Sequence, residues 1–89
     1  MLVWRDDFST LSLDEVLKYQ SENRAWSKEL RFRSNVLVNR RLANEISLAD
    51  YQTDRQLTRQ DAAECQRRAA ILETQIARCT VRPLLHAGT

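Results

Sequence analysis

Few side chains in this sequence are of a type that does chemistry. Two cysteines (Cys65 and Cys79), one histidine (His86) and the spaced carboxylates Asp50, Asp54 and Asp61 are the groups that could hold a metal or carry a reaction. A structural zinc site pairs its ligands a few residues apart, and Cys65, Cys79 and His86 do not have that spacing. On a single helix the two cysteines stand about 21 Å apart, far beyond the ~7 Å between bridged Cα atoms. They read as small apolar residues kept reduced, with an intermolecular disulfide open only to an antiparallel dimer. His86 has no Ser or Asp constellation to act with. The only glycine is Gly88, which excludes a Gly-rich phosphate loop. Asp50, Asp54 and Asp61 fall along one helical edge, where arginines across a hairpin account for them better than a metal does. The expectation is no enzyme, no cofactor, no metal site and no small-molecule substrate.

The other chemistry on offer is cationic. Of the fourteen Lys and Arg residues twelve are Arg, while the formal net charge is only +2. Arg24, Lys28, Arg31, Arg59 and Arg67 converge on one helical edge, near Gln20, Gln52, Gln56 and Gln66, with Glu73 almost the only acid there. Such an edge suits a phosphate backbone or an acidic protein surface. Aromatics able to stack on bases are missing from it, and the net charge is low for a nucleic-acid binder. A solvated basic face is the simpler reading, and a nucleic-acid-binding regulator is the alternative.

The elements that position these groups are helices. One Gly and one Pro in 89 residues leave almost no turn chemistry, which argues against a β-rich fold. Ala62, Cys65, Ala69, Leu72, Ile76 and Cys79 alternate at spacings of three and four, the signature of a helical seam with many small members. On the first helix Val16, Tyr19, Asn23, Trp26, Leu30 and Leu37 share a face. Ser12-Leu13-Asp14-Glu15 reads as a capping box, with Leu11 and Val16 as its hydrophobic staple. Ser47-Leu48-Ala49-Asp50 supplies a second helix start, stapled by Ile46 and Tyr51.

The prediction is an all-α antiparallel two-helix hairpin, coiled-coil-like, with helices over about 12–43 and 47–80. Pro83 is expected to stop the second helix near Thr80. The chain then divides into an apolar leader (1–11), a hairpin domain (12–82) and a C-terminal tail (83–89). Pairing positions whose numbers sum to about 90–94 sets Trp26 against Ala62, Cys65 and Ala69. The same register offers three cross-hairpin charge pairs: Glu22 with Arg68, Arg33 with Asp61, and Arg40 with Asp50 or Asp54. It also brings Arg31 close to Arg59.

A second apolar set lies off the seam: Ala25, Phe32 and Val36 on the first helix, with Leu57 and Ile71 on the second. The leader adds Trp4 and Phe8. A single seam supplies only about 3–5 kcal/mol, so these residues are expected to bind a protein partner or a second copy, two hairpins making a four-helix bundle. The function expected is a non-enzymatic interaction or oligomerisation module: an adaptor, chaperone or assembly factor. Met1-Leu2-Val3-Trp4 runs straight into Arg5-Asp6-Asp7, unlike a signal peptide, and no apolar run approaches the ~20 residues that span a bilayer. The expected location is cytoplasmic, with no membrane partner.

Overall fold

Each helix starts where a serine hydroxyl can take up free amide groups. In the computed structural model, which describes residues 2–5 and 7–87 and side chains as far as residue 80, α1 is Leu13–Leu42 and α2 is Leu48–Ala87. Ser12 Oγ accepts the Glu15 N–H at 3.3 Å, and Ser47 Oγ accepts the Asp50 N–H at 3.1 Å. The predicted return bond differs in one respect. Ser12 donates its hydroxyl proton to Glu15 Oε1 at 3.2 Å, so the carboxylate holds the side chain of the cap rather than its amide. Helix α1 also carries acids in its first turn (Asp14, Glu15) and bases in its last (Arg40, Arg41), the order that suits the helix dipole.

The reversal between the helices is short because α1 closes on itself. Asn44 takes the left-handed conformation at φ 57°, which an asparagine tolerates better than most residues. The Glu45 N–H then donates to the Arg40 carbonyl at 2.9 Å and the Asn44 N–H to the Arg41 carbonyl at 3.1 Å. This is a Schellman closure with Asn in the place usually held by Gly. The apolar contact that commonly accompanies it is replaced by charge, since Arg40 Nε lies 3.8 Å from Glu45 Oε2. Arg41 reaches over the turn to the Ile46 carbonyl at 3.4 Å.

The two helices pack along their length into a rod of 65 × 19 × 19 Å. Its radius of gyration, 18.2 Å, far exceeds the ~12 Å of a globular chain this long. A rod this thin has little interior. Among the described residues, the one packed cluster of buried residues sits at the end remote from the turn, where the leader folds back. Phe8, Val16 and Leu72 are buried there, with Trp4, Leu11, Tyr19, Ile71 and Ile76 packed around them. Fully burying side chains of this size contributes roughly 1.5–3 kcal/mol each.

Polar straps hold the leader antiparallel to α1. The Leu2 N–H donates to both Glu22 carboxylate oxygens at 3.0 Å, and Tyr19 Oη donates to the Val3 carbonyl at 2.7 Å. Trp4, Phe8 and Tyr19 meet edge-to-face, with ring centroids 4.9 to 6.2 Å apart. The leader therefore forms part of the hairpin's core.

Several sequence expectations need correction. Asn23, not Trp26, stands against Cys65: Asn23 Nδ2 donates to the Cys65 carbonyl at 3.1 Å, and Cys65 Sγ donates to the Asn23 carbonyl at 3.5 Å. The tight turn shifts the register by about three residues, and the Trp26 ring lies 5.3 Å from the Arg68 guanidinium. None of the three cross-hairpin charge pairs forms an ion pair among the described residues. Arg33 instead pairs with Glu29 at 3.0 Å, Arg40 with Glu45, and Arg68 with Glu64 at 3.0 Å. Partners four residues away on the same helix, or across the turn, need less side-chain ordering than partners across a seam. Finally, α2 continues past Pro83 to Ala87. A proline this near a helix end removes one hydrogen bond without ending the helix. His86 and the remainder of the predicted tail lie outside the described side chains, and Gly88 and Thr89 lie outside the described residues altogether.

Candidate functional site

A two-helix hairpin has one seam and two sides, and the seam here is marked by residues that border both. Leu30, Leu37 and Cys65 are buried along it. Leu37 and Thr58 line depressions on each side, so those depressions flank the same line of contact.

On the first side runs a groove of about 540 Å³, from Asn23 to Val38 on α1 and from Tyr51 to Ala69 on α2. Ala62, Cys65 and Ala69, the small seam residues, all line it. Ser27 and Ser34 make the α1 wall equally low. The groove carries Arg24, Arg31, Arg55 and Arg59 and no carboxylate. Three members of the predicted basic edge are thus brought together here. Lys28 and Arg67 do not line the groove, and Arg67 is bound through Nε to Glu64 at 2.8 Å. Arg55 is the member that sequence reasoning missed. Its signal was available, because it lies four residues from both Tyr51 and Arg59 and so shares their face. Its guanidinium sits 6.0 Å from the centre of the Tyr51 ring.

The second side is divided in two. Near the leader, Trp4, Trp26 and Arg68 line a smaller depression of about 280 Å³, with the Arg68 guanidinium 4.7 Å from the Trp4 ring centre and 5.3 Å from that of Trp26. Its Nε is held by Glu64, which also binds Arg67. Hydrogen bonds from Arg67 first, and then Arg68, hold the Glu64 carboxyl down at about 2. Ala25 borders this half and is exposed.

Toward the turn the same side is bare. Phe32 is 69% exposed, Leu57 55% and Val36 38%, and they border a depression of about 340 Å³. Arg33 and Arg40 flank it from α1, Asp54 and Asp61 from α2. Of the predicted partner surface, Phe32, Val36 and Leu57 therefore lie together in the open. Phe8 is buried, Trp4 and Ile71 are packed against it, and these are committed to the chain's own core.

Among the described residues no group of three or more His, Cys, Asp or Glu side chains is placed to hold a metal. Cys65 and Cys79 are both free thiols. The described helices include none long and apolar enough to cross a membrane. The chain matches no protein-family model, no curated protein and no solved structure. The open faces themselves are what any functional reading must explain.

Proposed function

We propose that this chain is a small non-enzymatic protein–protein interaction module that pairs with a second copy of itself, two hairpins forming a four-helix bundle. The observation that carries this is the bare apolar cluster of Phe32, Val36 and Leu57 on a rod too thin to have much other core. Its surround suits self-pairing. Basic Arg33 and Arg40 lie on α1, and acidic Asp54 and Asp61 on α2. A two-fold axis along the hairpin sets α1 of each copy over α2 of the other, so the same opposite-charge contacts occur twice. Exposed charges of this kind select orientation more than they stabilise. As a bundle-forming scaffold the protein would serve as an adaptor, chaperone or assembly factor, in the cytoplasm, where its unbridged cysteines stay reduced.

Sedimentation velocity tests the pairing. The wild type is expected as a dimer at tens of micromolar, and Phe32→Glu and Leu57→Glu as monomers with unchanged helical circular dichroism. A wild type that is strictly monomeric and stably folded would overturn it.

One observation favours a second reading, a nucleic-acid-binding regulator: four arginines line one groove without a carboxylate among them. A gel shift over increasing salt tests that reading. Binding through phosphates weakens steeply with salt, so no binding at low salt, or binding indifferent to salt, excludes it.

A further inference from the structure

We propose that the arginine-lined groove is a separate binding site for an acidic amphipathic helix of roughly 15–18 residues. The length follows from the groove, which spans Asn23–Val38 and Tyr51–Ala69, about 23–27 Å at 1.5 Å per residue.

The floor sets the kind of partner. Leu30 and Leu37 form its base, and Ser27, Ser34, Ala62 and Ala69 keep its walls low. A third helix can approach such a surface at the short end of the usual 8–10 Å between helix axes. An apolar floor between two helices is the surface onto which an amphipathic helix lays its apolar stripe.

The rim sets the charge of that partner. Arg24 and Arg31 are two turns apart on one face of α1, and Arg55 and Arg59 are one turn apart on α2. Arg24, Arg31 and Arg59 form no ion pair among the described residues, whereas Arg33, Arg40, Arg67 and Arg68 all pair with glutamates. Unpaired like charges flanking one groove repel each other. Glutamates or aspartates on both flanks of an incoming helix turn that repulsion into attraction from two sides.

An apolar floor gains nothing from a nucleic acid backbone. Tyr51 is the one aromatic ring in the groove, whereas binding a single strand generally uses successive aromatic platforms. The groove also lies across the seam from Phe32 and Leu57, so it stays open whether or not the chain pairs with itself.

The test is fluorescence anisotropy with three labelled probes: an 18-residue synthetic helix with a Leu/Ala stripe flanked by Glu, its twin with Lys for Glu, and a single-stranded DNA 12-mer. The Glu helix is expected to bind, more weakly as salt rises, and at least tenfold tighter than the Lys twin. Arg31→Glu and Arg59→Glu should each weaken it at least tenfold with unchanged circular dichroism, while Phe32→Glu leaves it unaltered. Should either arginine variant lose helicity, Arg59→Ala replaces it, with a smaller loss expected. No binding of the Glu helix, equal binding of the Lys twin, or arginine variants of wild-type affinity would overturn the proposal. Tighter binding of the DNA would assign the groove to nucleic acid instead. Self-association is read separately by sedimentation, so failure of one proposal leaves the other's outcome distinct.

Discussion

The leader end and the turn end of the hairpin lie on the same side of one seam, yet one is covered and the other is bare. At the leader end Phe8 is 3% exposed and Val16 and Leu72 are sealed beneath it. At the turn end Phe32, a residue of the same type, is 69% exposed. The difference is not one of hydrophobicity. Residues 2–5 and 7–11 return along α1 and are strapped to it by Glu22 and Tyr19, and nothing described does the same for Phe32. Two helices alone cannot bury an off-seam apolar residue. A third segment is needed, and the chain supplies one at only one end.

The largest expected effect sharpens that contrast. Phe8→Ala is expected to destabilise by about 3–5 kcal/mol, the range for emptying a buried aromatic site. Phe32→Ala in the monomer is expected to stay within about 0.5 kcal/mol, as for an ordinary surface position. Denaturant titration of both variants, at a concentration where the Phe32 variant is monomeric, checks the pair. Similar losses for the two would erase the distinction between the ends.

An intermediate effect concerns the seam that joins them. Asn23 and Cys65 exchange contacts through side chain and backbone in both directions, which fixes the axial register of the helices. Asn23→Ala is expected to cost about 1 kcal/mol, the usual net value of a hydrogen bond, measured by the same titration. Trp26→Ala is expected to cost about 1–2 kcal/mol, because Trp26 is half-buried beside Arg68 rather than sealed in the seam. A loss of 3–5 kcal/mol at Trp26 would restore the register read from sequence.

That register marks the limit of what the sequence makes legible. The hairpin, both serine caps and the region of the turn follow from local rules: helical periodicity, a hydroxyl within reach of an amide, an interruption in pattern. The axial offset depends on how tightly the turn closes, which rests on Asn44 adopting φ 57°. A shift of a few residues was enough to exchange Asn23 for Trp26 opposite Cys65. The ion pairs were misread for a related reason. Opposite charges at matching positions across a seam are weak attractors in water, and a glutamate one turn away on the same helix competes successfully. The apolar off-seam set was visible as a group, but its division into Phe8 buried and Phe32 bare depends on where the leader lies. No periodicity encodes that. The basic edge was legible in three of its arginines, Arg24, Arg31 and Arg59, and it lacked Arg55.

The smallest expected effect is a pH dependence at the leader end. The Glu64 carboxyl is lowered from its ordinary 4.5 to about 2, chiefly by the Arg67 hydrogen bond. A lowered carboxylate contributes stability that is fully present above about 4.5 and is lost as pH falls toward 2. In a carboxyl NMR titration Glu64 is expected to have its midpoint near 2, and Arg67→Ala should raise it more than Arg68→Ala.

The most direct test of the central claim is hydrogen exchange of the intact chain over a range of protein concentrations. Amides around Val16 and Leu72 are expected to be equally protected at every concentration, because the leader covers them within one chain. Amides from Phe32 to Leu37 and from Asp54 to Asp61 should gain protection as concentration rises and the bare face pairs. Protection at the turn end that stays the same at all concentrations, in a chain that remains folded, would contradict the account.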